Sequence, residues 1–160
     1  MSEKIAIFPG TFDPFTNGHL DIVNKSLKIF DKVIIAIGYN AAKKHLFTAE
    51  KRIEWIKSVF ENEPRIEAEV YEGLTHEFCN KKNAGFIIRG LRTSLDFEYE
   101  KQIAFVNELL NNNIFNVFLV SDQSLSSVSS TIVRDLIIHN GNYERFVPPQ
   151  IISDLKLQKY

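Results

Sequence analysis

Two hydrophobic periods take turns along this chain. Residues 5–8 form a continuous apolar run that stops at Pro9-Gly10, and Leu20, Val23, Leu27 and Phe30 then recur at helical spacing. Residues 33–37 make a second apolar run ending at Gly38, the pattern of a strand covered on both faces. Thr48 caps a helix whose stripe is Ile53, Ile56 and Phe60, closed off before Pro64. Residues 66–71 alternate, which predicts a half-exposed or edge strand, and Gly73-Leu74-Thr75 leads into a short helix through Lys82. Phe86-Ile87-Ile88 is a short buried strand followed at once by Arg89-Gly90-Leu91-Arg92. A long helix with Tyr99, Ile103, Val106 and Leu110 at helical spacing stops at Asn111-Asn112-Asn113. Residues 117–120 give the fifth strand, a serine-rich loop occupies 121–130, and Pro148-Pro149 opens a terminal helix. Strand and helix alternating in this way, with right-handed crossovers, predict an α/β fold: a doubly wound, Rossmann-like five-stranded parallel sheet in a single domain, 1–160.

In such a sheet, ligands bind beyond the carboxyl ends of the strands. The turn after the first strand, from Gly10 to His19, is therefore the first candidate site. Gly18 lets a phosphate approach the backbone where the helix opens, and the imidazole of His19 can donate a hydrogen bond to the same phosphate. Asp13 is the plausible nearby carboxylate, with fixing the turn as an equal reading. Ser129, Ser130 and Thr131 stand at another helix start, where their hydroxyls either cap free amides or meet a nucleotide's phosphates. Arg89 and Arg92 carry planar, multi-donor heads suited to phosphate oxygens, and burying them unpaired is costly. Lys43 belongs to a lysine pair that reads as solvated or as a site cation, and Glu100 as a surface charge or a site residue.

Composition narrows the ligand. With 44% apolar and 24% charged residues the chain reads as a soluble globular domain, and a formal net charge of −1 gives no general attraction to nucleic acid, so the expected anion is small. The single cysteine, Cys79, cannot form an internal disulfide, which points to a reducing compartment and a cytoplasmic protein. Neither an export signal nor an apolar run near the roughly 20 residues of a membrane span is expected.

Gly10-Thr11-Phe12-Asp13-Pro14, followed by Thr16-Asn17-Gly18-His19, resembles the amino-terminal signature of the nucleotidyltransferase superfamily. Val128-Ser129-Ser130-Thr131-Ile132-Val133-Arg134 resembles its Ile-Ser-Ser-Thr-x-x-Arg element. Ile88-Arg89-Gly90-Leu91-Arg92 with Asp96-Phe97-Glu98-Tyr99-Glu100 is similar to the central signature of the phosphopantetheine adenylyltransferases, which sibling families lack. The resemblance spans the chain from Ile5 to the terminal helix. It implies transfer of the adenylyl group of ATP to 4′-phosphopantetheine, giving dephospho-coenzyme A and pyrophosphate in coenzyme A biosynthesis. His19, Lys43 and Arg92 would be catalytic. Thr11, Lys43 and Arg89, lined by Leu74 and Thr75, would hold the phosphopantetheine side. Thr11, Phe12 and His19 would meet ATP at its reacting phosphate, and Gly90, Leu91, Arg92, Glu100 and the loop of Leu125, Ser126, Ser127, Val128, Ser129, Ser130 and Thr131 would hold the rest of the nucleotide. Mg²⁺ would be carried by ATP rather than by a protein cage. A homohexamer and feedback binding of coenzyme A in the same cleft are further implications. Many relatives place aromatic residues where this chain has Leu125 and Ser127, and methionine or leucine where it has Thr75. The alternatives are a related adenylyl- or cytidylyltransferase with another acceptor, and a non-catalytic nucleotide-sensing module.

Overall fold

A computed structural model describes residues 3–39, 44–110 and 113–158. Five strands, β1 (Ile5–Gly10), β2 (Lys32–Gly38), β3 (Ile66–Tyr71), β4 (Phe86–Leu91) and β5 (Phe115–Val120), form one sheet in the order β3-β2-β1-β4-β5. All four pairings are parallel, with Ile7 opposite Ile34 on one side and Ile87 on the other. The helices are α1 (Asn17–Ser26), α2 (Ala49–Val59), α3 (Thr75–Lys81), α4 (Ser94–Leu110), α5 (Ser130–Ile138) and α6 (Pro149–Leu157). The doubly wound sheet predicted above is what forms, with β3 at an edge as its alternating pattern requires. β4 runs three residues further than Ile88, so Arg89 and Gly90 lie inside the strand end rather than after it. The predicted helix stop at Asn111 and Asn112 lies outside the described residues.

Alternation along the strands divides the core. Ala6, Phe8, Val33, Ile35, Ile37 and Ile88 pack with Ile22 and Val23 of α1 and Ile56 of α2 on one face. Ile7, Ile34, Ala36 and Ile87 pack with Phe78 and Cys79 of α3 on the other. Burial pushes the Cys79 thiol up to about 12, so it behaves as a small apolar side chain. A third cluster fastens α5 and α6 to α2 through Trp55, Val133, Ile137, Ile151 and Leu155, with Trp55 Nε1 donating to Asp154.

α4 forms at the spacing expected of it; Tyr99, Val106 and Leu110 are exposed, and the residues it buries are Ala104 and Asn107. Chain order turns back at β1: the connection from β1 leads outward to β2 and β3, whereas β4 and β5 lie on its other side. A cleft opens at the carboxyl ends of β1 and β4, where doubly wound sheets bind ligands.

Candidate active site

The cleft has a volume of about 570 Å³ and is built from four segments. Gly10, Thr11, Phe12 and Asp13 leave β1, and Gly18 and His19 open α1. Arg89, Gly90, Leu91 and Arg92 end β4, with Glu100 reaching in from α4. Val128, Ser129, Ser130 and Thr131 lead into α5. Three sequence elements spread over about 120 positions therefore meet at one place because four crossovers return the chain to the same carboxyl-end edge of the sheet.

The first turn is folded by close contacts. A Cβ on Gly10 would come within 2.7 Å of the Phe12 ring, so glycine is what admits that ring under the strand end. Phe12 itself has a positive φ of 49° and is buried against Phe8, Phe15 and His19. Asp13 is 2% exposed, and its carboxylate accepts from the backbone N–H groups of Leu46 and Phe47 at 2.9 and 3.0 Å. Its observed work is to tie the β1 turn to the segment before α2. The carbonyls of this turn are held from outside: Arg134 Nη1 donates to Asp13 O at 2.7 Å, Ser130 Oγ to Pro14 O at 2.9 Å, and Arg52 Nη1 to Thr11 O at 2.6 Å.

His19 is fixed at the third position of α1. The backbone N–H of Thr16 donates to Nδ1 at 3.0 Å, so the imidazole takes the place that a glutamate occupies in an ordinary capping box. A nitrogen that accepts a hydrogen bond carries no proton. The neutral ring is thus the Nε2–H tautomer, a donor. Burial among aromatic rings, reinforced by the Arg92 cation, pushes its pKa down to about 3. At neutral pH His19 is an uncharged hydrogen-bond donor in the wall of a cleft.

The cations are arranged around it. Arg89 is largely buried and lies 3.2 Å from Glu100, while its Nε finds no partner among the described residues. Arg92 Nη1 donates to Val128 O at 3.3 Å, and its Nε stands 3.4 Å from Asp96. Asp96 also accepts from the backbone N–H groups of Arg92 and Thr93, so one carboxylate both caps α4 and braces this arginine. At α5, the Ser129 side chain accepts from Ile132 N and the Ser130 hydroxyl is engaged with Pro14. Capping and loop-holding are what these two hydroxyls do in the structure, and the first amides of α5 stay aimed at the cleft end of the helix.

Not every expected residue reaches the cleft lining. Leu74 and Thr75 stand at the start of α3, next to the β3 end, where the Thr75 hydroxyl meets the Tyr71 hydroxyl at 2.8 Å. Leu125, Ser126 and Ser127 belong to a 3₁₀ turn and its exit, capped by Asp122 and followed by Val128. Lys43 lies outside the described residues; its neighbours Lys44 and His45 line the cleft. The residues that sequence reasoning passed over are Arg52, Arg134 as a holder of the Asp13 carbonyl, and Ser121, whose buried hydroxyl lines the cleft without a partner among the described residues. Arg52 had a signal: it falls on the apolar stripe of α2 with Ala49 and Ile56, where a cation is out of place.

Comparison with known proteins agrees with this geometry. The chain matches the cytidylyltransferase-like family over residues 7–136. It is 47% identical over 145 residues to the phosphopantetheine adenylyltransferase of Christiangramia forsetii, covering 91% of this chain and 95% of the relative. The enzyme of the same name from Flavobacterium psychrophilum is 49% identical over 146 residues, covering 91% and 96%. Among solved structures, a bifunctional NMN adenylyltransferase/ADP ribose pyrophosphatase from Francisella tularensis aligns at TM-score 0.72 and 17% identity. The alignment covers 91% of this chain and 45% of that longer one, a likeness of fold. By these matches over nearly its whole length, the chain belongs to the phosphopantetheine adenylyltransferase family of the cytidylyltransferase-like nucleotidyltransferases.

Proposed function

We propose that the cleft transfers AMP from ATP to the phosphate of 4′-phosphopantetheine, releasing pyrophosphate and forming dephospho-coenzyme A. The observation that carries this reading is the meeting of His19, Arg89, Arg92 and the start of α5 around one cleft, in a chain whose relatives carry that enzyme's name. The nucleophile is a phosphate monoester whose second pKa is near 6, so at pH 7 it is mostly dianionic and needs no general base. What remains is to align two polyanions and to stabilise charge on the α-phosphate as it becomes five-coordinate.

The residues divide that work. His19, neutral and donating through Nε2–H, stabilises the α-phosphate oxygen without drawing a proton from it. Thr11 and Phe12 adjoin the same phosphate. Arg92, with Gly90 and Leu91, grips the β- and γ-phosphates beside the first amides of α5, and Val128, Ser129, Ser130 and Thr131 close that side. Leu125, Ser126 and Ser127, outside the cleft lining in the turn ahead of Val128, would meet the adenosine where it extends past Val128, and Glu100 braces Arg89. Arg89 and Lys43 hold the acceptor phosphate, and the pantetheine arm runs along the carboxyl ends of the strands toward Leu74 and Thr75. Mg²⁺ would come bound to ATP, where it would supply positive charge to offset that of the phosphates. The carboxylates lining the cleft suit that arrangement, since Asp13 is bonded to backbone amides and Glu100 is paired with Arg89. Coenzyme A, which contains the product, would occupy the same cleft as a feedback ligand.

The working assembly is a homohexamer in the cytoplasm. Its support is an apolar face on α4, where Leu95 and Leu109 are 80% and 86% exposed and Tyr99, Phe105 and Val106 are exposed as well. Among the described residues, no helix is long and apolar enough to cross a membrane. Incubation with ATP, Mg²⁺ and 4′-phosphopantetheine tests the chemistry: mass spectrometry should find dephospho-coenzyme A appearing in step with pyrophosphate. ATP consumption without that product contradicts the reading.

A further inference from the structure

Arg52 is 3% exposed, lies on the core-facing stripe of α2, and is not part of the cleft lining. A guanidinium in that position carries a desolvation cost that an apolar side chain would not. Its donors go to main-chain carbonyls: Nη1 to Thr11 O at 2.6 Å and Nε to Thr48 O at 3.2 Å. One side chain thus joins the N-cap of α2 to the turn after β1.

The peptide it grips has a second end. The Thr11 carbonyl and the Phe12 N–H belong to one trans peptide and point in opposite directions. With the carbonyl drawn toward Arg52, the N–H faces away from it, on the side where Thr11 and Phe12 line the cleft. That N–H has no acceptor among the described residues. Phe12 has a φ of 49°, a conformation that a residue with a side chain holds only under constraint. A cation bonded to the carbonyl end also polarises the peptide and strengthens the N–H as a donor.

We propose that Arg52 is a positioning residue for adenylyl transfer: it locks the Thr11–Phe12 peptide with its N–H presented to the reacting phosphate, making that amide a preorganised second donor beside His19. The proposal rests on the adenylyl-transfer reading above. It assigns Arg52 no contact with substrate; the side chain acts through the peptide.

Kinetics of Arg52→Met and Arg52→Lys, each well below its own melting midpoint, test it, with wild-type protein in the same assay. Since the amide acts in the transition state, kcat of Arg52→Met should fall by roughly tenfold or more while KM for ATP shifts less than about threefold. Arg52→Lys, which keeps the charge but loses the planar fork, should recover part of the loss. A merely structural arginine would lower the melting midpoint and leave kcat per folded molecule unchanged. Arg52→Met with kcat within about twofold of wild type therefore overturns the proposal, as does a loss confined to KM. If Arg52→Met does not fold, Arg52→Lys decides alone: a fall in kcat of about threefold or more at unchanged KM supports the proposal, and wild-type kcat overturns it. Inactive wild-type protein would instead overturn the adenylyl-transfer reading itself.

Discussion

At the scale of single residues, the account turns on His19. Its Nδ1 accepts from Thr16 N–H, its Nε2–H is left to donate, and neither role involves taking a proton from the nucleophile. His19→Ala should lower kcat by roughly 10²–10³ while leaving ATP affinity much less changed, the pattern for loss of one transition-state donor. Single-turnover rates beside ATP calorimetry check this, and a near-normal rate would remove His19 from the mechanism. The depressed pKa of about 3 has a thermodynamic consequence too. Between about pH 6.5, where an unfolded histidine takes up its proton, and about pH 3, the unfolded chain binds one proton more than the folded one at this site. His19 therefore costs stability as pH falls through 6.5, up to about 1.4 kcal/mol per pH unit, and contributes nothing of this kind above it. Urea midpoints at pH 7, 6 and 5 should show wild type losing stability relative to His19→Asn on the acid side; parallel curves would contradict a neutral, buried imidazole.

At the scale of elements, position in the sheet separates what the sequence disclosed from what it hid. The first turn, the end of β4 and the start of α5 were legible because phosphate chemistry restricts residue types there, and Thr11, His19, Arg89, Arg92 and Ser130 do meet in the cleft. Periodicity identified α4 as a helix without saying which of its faces is covered. A 3.6-residue pattern reports that one face is apolar, not whether this chain supplies what covers it. Tyr99, Val106 and Leu110 are exposed for that reason. Arg52 stood out of place on the apolar stripe of α2, but its role was hidden because its acceptors, the Thr11 and Thr48 carbonyls, are seen only in the fold. Contacts between distant elements were illegible in the same way. Asp21 of α1 accepts from Asp122 N–H at 2.8 Å and from Lys25, whose Nζ donates to Val120 O, so α1 braces the start of the loop that carries Leu125 to Thr131. Asp21→Ala should raise KM for ATP by roughly threefold to tenfold with kcat little changed, because it loosens a binding loop rather than the reacting groups. Initial-rate kinetics with an unchanged KM would show that the brace is not needed.

At the scale of the whole molecule, α4 lends Glu100 to the cleft and leaves Leu95, Tyr99, Phe105 and Leu109 exposed. The proposed hexamer would bury that face of α4. Leu109→Lys should then shift the mass seen by light scattering from six chains toward smaller species while the isolated chain stays folded; an unchanged mass would place the interface elsewhere. The central claim concerns the acceptor. The measurement that tests it most directly is kcat/KM for pyrophosphate release from ATP and Mg²⁺ with 4′-phosphopantetheine, nicotinamide mononucleotide and glycerol 3-phosphate in parallel. The account predicts turnover with 4′-phosphopantetheine and only background release with the other two. Equal or faster turnover with either of those, or ATP binding with no release from any, would contradict it.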